Sequence, residues 1–226
     1  MQLHEVIAYT LIIVAAFANW PVAALLFGLI FIFAFYRPIS RFLDRASKIG
    51  PQGVEAASAA AFEAIMPVLR HPRCMNCHSS GDFPRQGDDG HQHTMNVRRG
   101  LYGEGVAGLK CSTCHQDHNL QGEHMPPGAP GWHLPMAHEP MIWEGLNDRK
   151  LCELFKNPAG NGHRSVDEIV QHMNTPLVLW GWHPGEGRTP VPMPENEFLA
   201  KVKEWASRGA ACPGESSSSQ PTGATH

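Results

Sequence analysis

The chain has 226 residues, a formal net charge of −3 and only 17% charged side chains, while Gly (22) and Pro (19) are plentiful. The small net charge and the lack of a basic run argue against a nucleic-acid-binding protein. The length accommodates one domain of ordinary size together with an anchor segment, and the composition favours a loop-rich domain whose core is filled partly by a cofactor.

Two copies of one short motif dominate the sequence. Residues 74–78 read Cys-Met-Asn-Cys-His, and residues 111–115 read Cys-Ser-Thr-Cys-His. Cys-x-x-Cys-His is the attachment sequence of c-type haem, because two thiols on one turn of chain can add to the two vinyl groups of one porphyrin while the adjacent His binds the iron. We therefore predict two covalently bound haem c groups. Their attachment residues are Cys74, Cys77, His78, Cys111, Cys114 and His115, with His78 and His115 as the proximal iron ligands.

Two other kinds of site use paired cysteines. A four-cysteine zinc ribbon does not need a His after each pair, and its pairs usually lie closer together than Cys77 and Cys111 do. A thioredoxin-like redox motif follows a strand in a βαβ unit, and the sequence does not alternate in that way. The spacing therefore favours haem over both.

Cys152 and Cys212 are the cysteines outside the two motifs. Haem c is attached in an oxidising, extracytoplasmic compartment, where disulfides also persist. A Cys152–Cys212 disulfide and two buried free thiols remain equal alternatives, because a sequence does not show whether two Cα atoms lie within bonding range.

The N-terminal segment predicts a membrane anchor. Residues 6 to 36 contain no charged side chain, and an α-helix needs only about 20 apolar residues to cross a bilayer. We predict a single tilted transmembrane helix over about residues 8 to 35, kinked at Pro21. A cleaved signal peptide is the alternative, but the first five residues lack Lys and Arg, and the apolar run is about twice the usual length.

The charges next to this segment conflict with the haem motifs. Arg37, Arg41, Arg45 and Lys48 follow the predicted helix, and the positive-inside tendency would place them in the cytoplasm. Haem attachment requires the opposite side. The charge rule is a statistical bias, so we give the haem chemistry priority and expect a single-pass protein of the cytoplasmic (inner) membrane with its haem domain in the periplasm.

Several helices are predicted in the remaining chain. An Ala-rich stretch at residues 53–69 places Phe62, Ile65, Met66 and Leu69 on one apolar face. A short helix is expected at residues 148–156, carrying Leu151, Cys152 and Phe155. Ser165 and Glu168 form a capping box that starts another helix. A terminal helix at residues 195–208 ends before Gly209.

The predicted fold class is mostly α, with a single N-terminal transmembrane helix plus a loop-rich dihaem cytochrome c domain. The anchor occupies residues 1–36, a connector helix or linker 37–61, and the dihaem domain 62–213. The low-complexity tail at 214–226 is expected to be disordered.

The distal iron ligands are not determined by the sequence. His93 lies 15 residues after His78 and His133 lies 18 after His115, in each case across a loop rich in Gly or Pro. His93 and His133 are therefore the leading candidates, with Met141 as the main rival at the second haem. Met95, Met136, His172 and Met193 are further alternatives. Arg73, Arg98 and Arg99 are candidates to pair with haem propionates.

Five short stretches carry a family resemblance: His-Pro-Arg-Cys-Met-Asn-Cys-His at 71–78, the second motif with Asn119, Gly-Trp-His-Leu at 131–134, Trp-Gly-Trp at 180–182 with Pro184-Gly185, and Gly-Ala-Ala-Cys-Pro at 209–213. With these, residues 62–213 resemble a family of bacterial dihaem c-type cytochromes, some of which accompany periplasmic oxidoreductases of the isoquinoline 1-oxidoreductase type. Such a subunit need not carry its own anchor, so the predicted transmembrane helix departs from the family.

The expected function is one-electron transport between a membrane redox or photosynthetic complex and a periplasmic donor or acceptor. We expect an electron carrier or electron-transfer subunit rather than an enzyme. The main alternative is a dihaem enzyme such as a peroxidase, in which one iron keeps an open distal position. A structural subunit of a photosynthetic or respiratory complex is a third class.

Overall fold

The computed structural model describes Ile7 and residues 50–214. In this part of the chain six α-helices are separated by loops, two short antiparallel hairpins and three 3-10 turns. The helices are α1 (Pro51–Leu69), α2 (Pro72–Met75), α3 (Asp148–Lys156), α4 (Val166–His172), α5 (Pro176–Leu179) and α6 (Glu195–Ser207). The hairpins pair β1 (Arg85–Gln86) with β2 (His91–Gln92) and β3 (Gly105–Val106) with β4 (Leu109–Lys110). The 3-10 turns are Thr94–Asn96, Cys111–Thr113 and Trp180–Trp182.

Helix α1 confirms the helix that was predicted from the apolar spacing of the Ala-rich stretch. It begins at Pro51, a residue that suits the first turn because its missing N–H has no helical partner there. Its predicted apolar face is buried, with no member more than 6% exposed. The helix passes the predicted domain boundary after residue 61 without a break.

Helices α3 and α4 begin where they were predicted to begin, and in each the first turn is capped by a side chain. The Asn147 side chain accepts a hydrogen bond from the backbone N–H of Lys150 at 2.9 Å. The predicted capping box is confirmed, since Ser165 and Glu168 bond reciprocally at the start of α4. Helix α6 ends shortly before Gly209, whose φ of +93° favours glycine.

The core lies where α1, α3, α4 and α6 meet. Phe62 of α1 packs edge-on against Phe155 of α3 at 5.7 Å between ring centroids, and against Trp205 of α6 at 5.3 Å. The buried Ser58 hydroxyl donates to the Trp205 carbonyl at 2.8 Å and accepts from the Ala211 N–H at 2.9 Å. Because α1 leads directly into the first Cys-x-x-Cys-His motif, this core supports that motif from one side.

The predicted fold class is wrong. The described part of the chain is about 40% helical with little sheet, and residues 76–147, which carry most of both motifs and the segment between them, contain no α-helix. Helices are absent from this segment because its backbone turns repeatedly at positions where a helix cannot continue. At Gly100 and Gly103, with φ of +69° and +78°, a Cβ atom would lie 2.1 and 1.9 Å from backbone carbonyl oxygens.

The transmembrane helix in that fold class is not among the helices that the structure describes. None of the helices that the structure describes is long and apolar enough to cross a membrane. The stretch at residues 8 to 35 for which the helix was predicted lies outside the described residues, as does the tail beyond residue 214.

A disulfide joins Cys152 of α3 to Cys212 in the segment that follows α6, with 5.5 Å between the Cα atoms. Of the two alternatives that the sequence left open, the structure contains the disulfide. It links α3 covalently to the C-terminal end of the described chain.

Candidate functional site

The first motif is built as one helical turn. His71 caps α2, with its ring accepting from the Arg73 N–H at 3.3 Å, and Pro72 occupies the first turn. The N–H of His78 then bonds the carbonyl of Cys74 at 3.2 Å. This turn brings both thiols of the motif and the imidazole to one short segment of chain, which is the arrangement that attachment to a single porphyrin requires.

The His78 ring is oriented by a backbone carbonyl. Its Nδ1 lies 3.0 Å from the carbonyl oxygen of Met141, and since a carbonyl can only accept, Nδ1–H is the donor. The other ring nitrogen, Nε2, therefore keeps its lone pair for a metal. The ring stacks on Trp143 with 3.7 Å between centroids and 4° between planes. Burial lowers the pKa of His78 to about 3, so the imidazole is neutral at physiological pH.

The second motif repeats this arrangement with different partners. The N–H of His115 bonds the Cys111 carbonyl at 2.9 Å. Its Nδ1–H donates to the Pro127 carbonyl at 2.6 Å, and its ring stacks on Trp132 at 4.6 Å with 6° between planes. Burial lowers the pKa of His115 as well. Both motif histidines thus have a fixed Nδ1–H donor and an Nε2 free to bind iron.

The four motif thiols are free. Burial raises the pKa of Cys74 to about 12 and that of Cys77 to about 11, and it also raises the pKa of Cys111. These three thiols are therefore protonated at neutral pH in the folded chain. Among residues 50–214 no three His, Cys, Asp or Glu side chains converge to hold a metal ion, as a zinc ribbon would require.

One cavity of about 800 Å³ is lined by both motifs, a volume in the range of cofactor sites. Its wall includes Cys74, Cys77, His78 and His115 and many apolar side chains. Three buried polar atoms of its lining residues have no hydrogen-bond partner: Nε of Arg73, Oε2 of Glu139 and Nε1 of Trp143. An unpaired buried donor costs about 1–3 kcal/mol, so the two N–H groups fit a cofactor that carries carboxylates.

Two of the arginines that were expected to face propionates are buried. Arg99 is 1% exposed and donates only to backbone carbonyls, among them that of Pro135 at 2.9 Å, with no carboxylate partner among the described residues. Arg73 pairs with Asp88 and lies over the Trp180 ring at 5.7 Å. Arg98 is half-buried. Arg99 is therefore a buried cation without an ion-pair partner in this part of the chain, and the nearby Asp82 only partly offsets the lowering of its pKa by burial.

The structure places His93 beside the second motif. The ring centroids of His93 and His115 are 6.1 Å apart, although His93 was predicted as a ligand by its spacing from His78. His133 lines the cavity, whereas His93 is not among its lining residues. The His133 side chain is exposed and donates Nδ1–H to the Gly131 carbonyl at 2.5 Å.

The remaining candidate ligands are distributed unevenly. Met141 lines the cavity, but its backbone carbonyl is bound to His78 of the first motif. His172 also lines the cavity, and burial lowers its pKa to about 4. Met95 and Met136 are exposed at 72% and 40%. Met193 packs against the core, and its carbonyl accepts from the Trp182 indole at 2.6 Å.

Sequence reasoning missed the groups that hold the motif histidines. The stacking partners Trp132 and Trp143 and the carbonyls of Pro127 and Met141 were not assigned to them. A carbonyl carries no sequence signal, and the two Trp residues share no spacing that could have identified them, since Trp143 lies 65 residues after His78 and Trp132 lies 17 after His115. The role of Asn119 was missed as well: its Oδ1 accepts from the Gly128 N–H at 3.0 Å and fixes the loop of Pro127.

No family model, no curated protein and no solved structure matches this chain. The resemblance to dihaem c-type cytochromes therefore stays a prediction from the sequence motifs.

Proposed function

We propose that this chain is a dihaem c-type cytochrome that transfers single electrons between a membrane redox or photosynthetic complex and a periplasmic partner. The observation that carries the proposal is the matching state of His78 and His115. Each ends a Cys-x-x-Cys-His motif, lines the same cavity, and donates Nδ1–H to a backbone carbonyl so that Nε2 can bind iron.

Residues of the two motifs and of the cavity would divide the work of holding two haems, and of the four thiols those of Cys74 and Cys77 line the cavity. The four thiols would form thioether bonds, and the two Nε2 atoms would bind the irons. Arg73 and Trp143 each bring an unpaired buried N–H to the cavity, and these suit propionate carboxylates. Haem supplies the one-electron chemistry, while the protein sets ligation, burial and orientation.

The Cys152–Cys212 disulfide supports a location outside the cytoplasm. Disulfides persist in oxidising compartments, and covalent attachment of haem c takes place there as well. A single oxidising compartment therefore explains both the proposed haem attachment by four of the six cysteines and the disulfide between the other two.

A redox titration of the protein produced in a host that attaches haem c tests this function. We expect two low-spin haems, each titrating as a one-electron centre, and rapid reduction by a small one-electron donor. A protein that carries haem but has no reversible one-electron step would contradict the proposal.

A dihaem enzyme such as a peroxidase is the second candidate, and His172 is the observation that favours it. This imidazole lines the cavity and is neutral at pH 7, because burial and the nearby positive charge of Arg164 lower its pKa. A neutral imidazole can act as a general base. The enzyme would show one high-spin haem that reacts with hydrogen peroxide, whereas two six-coordinate low-spin haems that do not react support the electron carrier.

A further inference from the structure

We propose that His93 is the second axial ligand of the iron held by the second motif, opposite His115. This inference rests on the proposed function. His93 follows the first motif in the chain but would bind the haem of the second motif. The segment from His78 to His93 would therefore connect the two haem sites.

The distance between the two rings fits two imidazoles on one iron. With metal–nitrogen bonds of about 2.0 Å and about 1.1 Å from nitrogen to ring centre, two such rings have centroids about 6 Å apart. The observed separation is 6.1 Å, with 68° between the ring planes. Two aromatic rings in simple edge-to-face contact have a similar centroid distance, about 4.5–7 Å. The distance alone therefore does not separate such a contact from a pair of iron ligands, and the protonation of the ring nitrogens has to be considered.

The hydrogen bonds leave the ligating nitrogen free on both rings. Nδ1 of His93 lies 2.8 Å from the carbonyl of Thr94, and Nδ1 of His115 lies 2.6 Å from the carbonyl of Pro127. Carbonyls only accept, so both imidazoles carry their proton on Nδ1 and a lone pair on Nε2. This is the state that iron ligation requires of each ring.

The backbone around His93 holds the ring in place. The β1–β2 hairpin ends one residue before it, and its own N–H donates to the Pro84 carbonyl at 3.0 Å. Two and three residues after it, Met95 and Asn96 both adopt left-handed backbone, with φ of 62° and 51°. Asn tolerates this region, but a strained residue such as Met95 persists where surrounding structure enforces it, and such residues cluster at ligand-binding segments.

The first test replaces His93 by Met and by Ala in the holoprotein. His91→Ala is the matched control, because His91 lies on the same hairpin, is exposed and pairs only with Asp89. Haem content is measured first. A protein that carries no haem would contradict the proposed function itself rather than the role of His93. With two haems attached, His93→Met should convert one haem to His/Met ligation, seen as a new near-infrared band and a higher potential. His93→Ala should make one haem high-spin, and added imidazole should restore it.

A second test identifies the iron. His93→Ala is combined with loss of one haem, through Cys74→Ala with Cys77→Ala or through Cys111→Ala with Cys114→Ala. We expect His93→Ala to change the spectrum of the protein that keeps the second haem and to leave unchanged the protein that keeps the first. If only one of the two single-haem proteins accumulates, its spectrum alone shows which haem His93 affects. Unchanged spectra in His93→Met and His93→Ala, or a change confined to the first haem, would overturn the inference.

Discussion

Nδ1 of His78 and the carbonyl oxygen of Met141 are 3.0 Å apart, and Met141 holds that carbonyl in place with a left-handed backbone, φ 42°. A non-glycine residue in this region is strained by about 1–3 kcal/mol. The strain falls on the residue that fixes the tautomer of a motif histidine. His115 is held by Pro127, whose ring restricts the backbone by other means.

Asn119→Ala should destabilise the protein and disturb the second site more than the first. The Asn119 side chain accepts from the Gly128 N–H and the Trp180 indole and donates to the His183 carbonyl, at 3.0, 2.9 and 2.7 Å. Losing these bonds should lower the free energy of unfolding by about 1–3 kcal/mol. The loop that carries the Pro127 carbonyl would loosen with them.

Chemical denaturation and the visible spectrum of the holoprotein measure both effects. Asn174→Ala is the control, because Asn174 is exposed. Equal stability of the Asn119 and Asn174 variants would show that the loop is held by other contacts.

Arg99→Met should lower the reduction potential of the haem at the first motif. Arg99 is a buried cation that interacts electrostatically with Cys77, and a nearby positive charge favours the reduced haem. A unit charge about 10 Å away at an effective dielectric constant of about 20 contributes about 1.7 kcal/mol, or about 70 mV for one electron. Potentiometric titration of the Arg99→Met holoprotein checks this, with Arg98→Met as the control because Arg98 is the less buried neighbour. A rise in potential would contradict it.

Replacing both Cys152 and Cys212 by Ser should lower stability without changing the haem content. The disulfide closes a segment with a sequence separation of 60 residues, for which chain entropy predicts about 4 kcal/mol. Denaturation of the oxidised protein and of the double variant measures the difference. If the double variant also lost haem, the disulfide would be needed for attachment and not only for stability.

Folding stability should fall as the pH is lowered from about 6.5 to about 4. Burial lowers the pKa of His172 to about 4 in the folded protein, while an unfolded His titrates near 6.5. Between these values the unfolded chain binds more protons, so acid favours unfolding by up to about 3 kcal/mol. His172→Gln should flatten this part of the pH profile, and His138→Gln, at an exposed position, should not. Parallel profiles for both variants would rule out His172 as the source.

Local signals predicted the helices around the site well. The apolar spacing of α1, the capping box at Ser165 and the stop at Gly209 each depend on residues within a few positions. The fold class was wrong because such local rules do not reveal that the long segment between α2 and α3 contains turns and hairpins but no α-helix.

The motif residues of the site were predictable, but their partners were not. His93 was assigned to the first motif because spacing along the chain is all that a sequence provides. The β1–β2 hairpin and the left-handed residues after it bring His93 to His115 instead. The carbonyls of Pro127 and Met141 are likewise set by backbone geometry rather than by side-chain identity.

The mass of the denatured protein, isolated from a host that attaches haem c, tests the central claim most directly. The account predicts the polypeptide plus two haems that survive acidified organic solvent. Cys111→Ala with Cys114→Ala, and likewise Cys74→Ala with Cys77→Ala, should each leave one haem attached. The mass of the bare polypeptide, or pigment that extracts into the solvent, would contradict the account.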